Sequence, residues 1–251
     1  MIEADYRNFL GTIFFAVKDK DAFSRALRDL LAEVKLGGIF TGDNLITLSK
    51  TMGFLDDAKL MDAVKRHVDN NTERSILWRQ AVVAWAAHEG LRREGDFVEC
   101  ACYKGTTARI VCDYLDFASL DRHYYLYDLF EHDPSMPHHS MTEHSKELYA
   151  KTKERFAAFP NVTVTQGAVP EILHKVAPEK IAFLHIDLNN ADAEIGALEM
   201  LFDRMSPGAI LILDDFGWIF YQAQHKAEVA WMEKRGYRIL ELPTGQGMVI
   251  K

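Results

Sequence analysis

Apolar residues along the first ninety or so positions recur at helical spacing, whereas those after Gly95 gather into short runs separated by amphipathic stretches. In "DAFSRALRDLLAEVKLGG", Phe23, Leu27, Leu30, Leu31 and Val34 share a helical face, and Gly37 with Gly38 supplies a stop. "TERSILWRQAVVAWAAHEGLRREG" predicts a second amphipathic helix, opened by Thr72 as a cap and closed at Gly90 or Gly95. The stretch between them reads as shorter helices broken at Gly42 and Gly53. Residues 1–92 are therefore expected to form an N-terminal helical segment, a lid or an oligomerisation surface, and residues 93–251 a second domain.

From Gly95 onward strands and helices alternate, the pattern of a parallel sheet with helices on both faces. The expected strands are "DFVECA", "HYYLYDLF", "NVTVTQG", "KIAFLHID" and "GAILILDD", then the short "YRILEL" and "GMVIK" joined by a "PTGQG" turn. Helices are expected near 105–116, 143–158, 168–176, 191–205 and 219–235. The predicted fold class is α/β: a doubly wound, Rossmann-like, seven-stranded and mostly parallel sheet with an antiparallel hairpin at the carboxyl end.

Two of these apolar runs end abruptly on acid, at Asp187 and at Asp214–Asp215. A strand buried on both faces does this where its carboxyl end opens into a crevice, the usual ligand site of an open α/β sheet. Converging carboxylates repel one another unless a cation lies between them, and oxygen ligands suit Mg²⁺ or another hard divalent cation. Asp187, Asp214 and Asp215 are the metal candidates, with Asn189 or Asn190 as a neutral oxygen donor. The competing reading has Asp214 and Asp215 capping the next helix and Asp187 bound to a cofactor.

Composition narrows the function without naming it. Hydrophobic residues make up 48% and charged residues 26%, ordinary for a globular chain. A net charge of −8 argues against a nucleic-acid partner, which would call for a basic face. No apolar run reaches the roughly 18 residues that a membrane span needs. The N-terminus lacks the basic and small-residue flanks of a signal peptide, so a cytoplasmic location is expected. Cys100, Cys102 and Cys112 read as buried reduced thiols rather than a disulfide framework or a soft-metal site.

The loop "ECACYKGTT" follows the first strand of the sheet, where doubly wound folds bring backbone close to a ligand. The fingerprint G-x-G-x-x-G is absent, which disfavours a pyrophosphate-bearing cofactor. Glu99, Ala101, Tyr103, Gly105 and Thr106 are the candidate contacts there, Asp128 is placed to accept from the two hydroxyls of a ribose, and Gln166, Gly167 and Ala168 could edge an adenine. Residues 123–144 hold five of the ten histidines, His138 and His139 among them, and the part after Phe130 looks like a lid. One of these histidines, with His139 the candidate, or Asp187 could serve as general base. Trp78, Arg79, Trp85 and Trp218 read as packing residues, with Arg79 and Trp218 expected to flank the crevice.

Together "GDFVECACYKGTT", "YLYDLFE", "LHIDLNN", "ALEMLFDRMSPGAILILDDFGW" and "LPTGQGMVIK" resemble the macrocin O-methyltransferase family, a branch of the class I S-adenosylmethionine-dependent methyltransferases. The resemblance covers roughly residues 72–251 and implies methylation of a sugar hydroxyl, or of another small-molecule hydroxyl, with help from Mg²⁺. It carries the metal ligands onto Asp187, Asp214 and Asp215, the cofactor loop onto Glu99 to Gly105, the ribose acid onto Asp128, and residues 93–251 onto a domain that binds S-adenosylmethionine. Two departures stand out. Asn189 occupies the place of a second acid proposed as base, and an amide takes no proton at neutral pH. Ala101 replaces a glycine, a change that a negative φ would accommodate. The expected partner is a small-molecule acceptor, with no nucleic acid and no membrane, and the chain is expected to form a homo-oligomer. The competing functions are a non-catalytic S-adenosylmethionine binder and an NAD-dependent oxidoreductase.

Overall fold

The computed structural model describes residues 7–133, 135–136 and 140–251, and the chain divides into two compact units, 1–81 and 82–251. In the first unit β1 (Asn8–Leu10) pairs parallel with β2 (Ile39–Gly42), and β2 pairs antiparallel with β3 (Leu45–Thr47). This small sheet replaces the short helices expected around Gly42. Asp43 and Asn44 join β2 to β3 with φ of 53° and 55°, the doubly left-handed pair of a two-residue hairpin turn. Asp and Asn tolerate that conformation better than most residues, so "GDNL" is a hairpin signal rather than a helix break.

Helices α1 (Lys20–Ala32), α2 (Ala58–His67) and α3 (Asn71–Ser75) are capped by Asp19, Asp57 and Asn70, whose side chains accept from backbone N–H groups in the first turn. The expected Thr72 cap therefore falls inside α3, and the long helix α4 (Leu77–Gly90) starts after it and stops at Gly90. Trp78 packs as expected, with ring centroids 5.1 Å from both Phe40 and Phe54.

The second unit is a seven-stranded sheet in the order β6-β5-β4-β7-β8-β10-β9. Its strands are β4 (Asp96–Cys100), β5 (Tyr124–Asp128), β6 (Val162–Gln166), β7 (Ile181–Ile186), β8 (Met205–Leu213), β9 (Leu240–Glu241) and β10 (Gly247–Ile250). Strands β4 to β8 are parallel, and β10 runs antiparallel to both β8 and β9, as the closing hairpin predicts. All six residues of β7 are buried, because helices cover both faces of the sheet. One face buries Phe97, Phe117, Tyr124 and Phe183, and the other buries Val98, Leu184, Ile186, Leu198 and Phe202. The crossovers carry α5 (Thr106–Leu115), α6 (Leu148–Arg155), α7 (Ala191–Leu201) and α8 (Gln222–Glu233). The helix expected at 168–176 is only a 3₁₀ turn over Glu171–His174.

The chain runs outward from β4 through β5 to β6 and then returns to lay β7 on the other side of β4. That reversal leaves a crevice at the carboxyl ends of the strands. Gly105 starts α5 beside it with φ of 74°, and a Cβ there would lie 2.6 Å from the Phe156 ring. Gly236 has a similar φ of 79° but open space around it. Gly236→Ala should therefore cost only the left-handed strain, about 1 kcal/mol. Gly105→Ala should cost about 3 kcal/mol, because overpacking adds to the strain. Chemical denaturation of the two variants beside the parent would measure both terms.

Candidate active site

Four strand ends meet around one cavity of about 700 Å³. Ala101 and Tyr103 reach it from beyond β4, Asp128 and Leu129 from β5, Gly167 and Ala168 from β6, and Asp187 to Asn190 from β7, with Met136, Met141 and His144 on another side. A few polar groups in a mostly apolar lining suit a small organic ligand. Asp128 organises this corner: Oδ2 accepts from Tyr103 N at 2.7 Å and Oδ1 from Phe130 N at 2.6 Å. A carboxylate's two oxygens suit the spacing of a vicinal diol.

The backbone turns sharply here. Ala101 has φ of 67° and Tyr103 of 50°, so the negative φ expected at Ala101 is not found. The conformation is held by the Ala101 and Cys102 N–H groups, which both donate to Tyr127 O at 2.8 and 3.0 Å. Left-handed non-glycine residues persist where surrounding bonds over-determine them, and such residues cluster at ligand sites.

Of the sequence-predicted contacts, Ala101, Tyr103, Asp128, Gly167, Ala168 and Asp187 line the cavity, and Glu99, Gly105, Thr106 and Gln166 do not. Glu99 is 2% exposed and accepts from Tyr124 OH at 2.7 Å, so its carboxylate is committed inside the sheet. The Gly105 position serves the start of α5, and Thr106 Oγ1 accepts from Arg155 at 3.2 Å. The Gln166 amide donates to Leu129 O at 3.1 Å. Arg79 is likewise spoken for, in a buried ion pair with Asp43. Trp218 stands over Gly245 in the turn before β10, its Nε1 2.5 Å from where a Cβ would lie.

His138 and His139 lie outside the described residues. His144 is the histidine that lines the cavity, packed edge-on against Tyr103 with centroids 5.4 Å apart. Its Nδ1 accepts from Met141 N at 3.1 Å, so the neutral ring carries its proton on Nε2. Glu143 N donates to Tyr103 OH at 2.7 Å, and the buried Lys104 Nζ donates to Glu143 Oε1 at 2.7 Å. These bonds hold residues 143–144 against the loop after β4.

Beside the cavity, Asp187, Asp214 and Asp215 bring one ligand oxygen each to within 4.8 Å of one another. Asp187 belongs to both the triad and the cavity lining. Helix α8 begins at Gln222 with Tyr221 before it, so neither Asp214 nor Asp215 caps it. Asp214 Oδ1 accepts from Gln246 Nε2 at 2.7 Å. The Asn189 amide donates to Asp187 Oδ1 at 3.3 Å. Three carboxylates in this arrangement form a hard donor set that fits a divalent cation.

Sequence reasoning passed over His185, the one polar residue in the buried run "IAFLHI". Its Nε2 is 3.4 Å from Asp214 Oδ1, and its Nδ1 is 3.5 Å from Glu99 Oε2, an ion-pair contact rather than a closed hydrogen bond. Burial by itself would lower the pKa, but the two carboxylates outweigh it and hold the imidazole well above its ordinary value. The basic signal was present in the sequence, since a histidine inside an otherwise apolar strand needs buried partners. The three cysteines are buried and free, and burial pushes each thiol well up, consistent with inert reduced thiols.

A raised folded-state pKa at His185 means that its contribution to stability is full below about pH 6.5, the unfolded value, and is lost as pH rises through the folded one. In metal-free protein, imidazole nitrogen shifts should report His185 still protonated at pH 7.5. His185→Leu would take the neighbouring positive charge from two buried carboxylates and should cost about 3–5 kcal/mol in denaturant titrations.

A family profile described as "Methyltransferase domain" matches residues 98–216, which hold the loop after β4, Asp128 and the whole acid triad. No curated protein matches the chain. Among solved structures it is similar to the O-methyltransferase NovP, at 16% identity over 70% of this chain and 80% of that one, with a TM-score of 0.58. It is also similar to the calicheamicin methyltransferase CalS11, at 12% identity, 94% of each chain and a TM-score of 0.59. A third likeness is to the S-adenosylhomocysteine-bound methyltransferase PaMTH1 of Podospora anserina, at 13% identity over 96% and 99% of the two chains, with a TM-score of 0.54. These likenesses show the class I methyltransferase fold, and residues 98–216 match a methyltransferase domain, which together support an S-adenosylmethionine-dependent methyltransferase.

Proposed function

We propose that the protein is a metal-assisted O-methyltransferase whose acceptor is a hydroxyl of a small molecule, a sugar or glycosylated metabolite of the kind handled by the macrocin O-methyltransferase family. The observation that carries this reading is the double role of Asp187, which lines the cavity and also belongs to the three-carboxylate cluster. A cluster of hard oxygen donors beside a methyl-donor site suits an acceptor that is itself a hard oxygen nucleophile. The structural neighbour CalS11 is described as a TDP-rhamnose 3'-O-methyltransferase, which keeps a sugar hydroxyl first among acceptors to try.

Asp128 would accept from the ribose hydroxyls, with the Tyr103 and Phe130 N–H groups fixing its two oxygens. Gly167 and Ala168 would edge the adenine, and Met136 and Met141 would help exclude water. Bound S-adenosylmethionine supplies an activated methyl on sulfur, so the protein needs no nucleophile of its own. Asp187, Asp214 and Asp215 would hold Mg²⁺ or a similar cation, which lowers the pKa of a bound hydroxyl. Asp187 is the preferred general base. For His144 to take a proton at Nδ1 it would have to release Met141 N.

No helix among the described residues is long and apolar enough to cross a membrane, and the buried thiols suit a reducing cytoplasmic setting. A homo-oligomer remains part of the proposal, and light scattering would test it. Calorimetry should show S-adenosylhomocysteine binding and no heat from NAD. Labelled methyl transfer should appear with sugar or glycoside acceptors and Mg²⁺ and vanish with EDTA. Asp187→Ala and Asp215→Ala should each lower turnover at least about 100-fold while the dissociation constant for S-adenosylhomocysteine moves less than about 5-fold. Full turnover in EDTA would refute the metal reading.

A further inference from the structure

Two buried acids outside the cavity and the triad have no part in the chemistry so far. Glu194, in the first turn of α7, and Glu228, in α8, are both 0% exposed, and their carboxyl groups meet. Glu194 Oε1 accepts from Leu188 N at 2.9 Å, and Asn189 N also points at this carboxyl. These are consecutive N–H groups of the turn that follows Asp187. Asn189 has φ of 55°, so two adjacent donors converge as they do in an anion-binding nest. On the other side, no hydrogen bond closes fully onto Glu194 Oε2 or onto either oxygen of Glu228, although the Gln224 side chain lies beside Glu228 and favours its charged form. Two buried carboxyls in contact meet that need by sharing a proton. Burial, then the neighbouring Glu228, pushes Glu194 well up, and burial first of all pushes Glu228 up to about 7.

The two acids also come from the right places. Helix α7 follows the strand end that carries Asp187, and α8 follows the one that carries Asp214 and Asp215. The Asp187 N–H donates to Cys100 O at 3.0 Å, which ties the strand end to β4. The turn just after Asp187 reaches its side chain directly, since the Asn189 amide donates to Asp187 Oδ1 at 3.3 Å, and Glu194 closes that turn through Leu188 N.

We propose that Glu194 and Glu228 are a positioning pair: Glu194 grips the Leu188–Asn189 turn, Glu228 backs it from α8, and together they aim Asp187 at Asp214 and Asp215. The pair sets metal affinity without touching metal, cofactor or acceptor. This rests on reading the acid triad as a metal site.

The test measures Mn²⁺ affinity by electron paramagnetic resonance in the presence of S-adenosylhomocysteine, beside amide hydrogen exchange at Leu188 and Asn189. Glu194→Leu should weaken Mn²⁺ binding about 10-fold or more, the usual scale for a residue supporting a ligand, and should expose both amides to exchange. Its turnover should recover toward the parent value at saturating metal, since the ligands remain. Glu194→Gln keeps an acceptor oxygen for Leu188 N and should rescue both readouts to within about 3-fold. Should Glu194→Leu fail to fold, Glu228→Leu takes its place, with a loss of about 3-fold or more expected from removing the support behind Glu194. Unchanged Mn²⁺ affinity in the leucine variants overturns the proposal. Protected amides in a parent protein that binds no Mn²⁺ would overturn the metal reading and the role in metal affinity, while leaving the grip on the turn as an observed fact.

Discussion

Negative charge packed at one end of a buried sheet is the constraint on which this structure depends. Glu99, Asp128, Asp187, Asp214 and Asp215 all sit at or near strand ends of β4, β5, β7 and β8, and three of them are nearly inaccessible to water. Water cannot screen them there, so each needs a local partner. The partners are of different kinds. Asp128 takes backbone N–H groups, Glu99 takes the Tyr124 hydroxyl, and Asp214 takes the Gln246 amide and the edge of His185.

This assignment of partners divides the crevice into functions. His185 links Glu99 in β4 to Asp214 beyond β8 through the strand between them, so one buried imidazolium serves two acids that sequence order keeps far apart. Glu99 is thereby tied into the sheet and lies off the cavity lining. Asp128, by contrast, uses its two backbone bonds to shape the loop after β4 at the edge of the cavity. The same loop then holds residues 143–144 through Tyr103 and Lys104. One carboxylate thus connects the loop after β4 to the segment that borders the cavity.

Legibility in the sequence followed the length scale of the cause. The seven strands, the closing hairpin and the acids at the strand ends were readable because burial on both faces leaves long apolar runs that stop where solvent begins. The β2–β3 hairpin was missed because its signal is two residues long, Asp43 and Asn44 in left-handed conformation, inside a stretch with enough apolar residues to suggest helix. The left-handed Ala101 was missed because two N–H groups converging on Tyr127 O enforce it, and Tyr127 lies on the neighbouring strand. Thr106 and Gln166 were placed in the right loops, but their side chains turn to Arg155 and to Leu129.

The sequence by itself determined the α/β class, the methyltransferase-type sheet order implied by the final hairpin, and which acids could meet, because periodicity and strand ends are local properties of the chain. Only the tertiary structure decided which acids face the cavity, that His185 stands between Glu99 and Asp214, and that Glu194, with Glu228 beside it, closes the turn after Asp187. Those choices depend on distances between residues far apart in sequence, and a carboxylate's role is fixed by the partner it finds there.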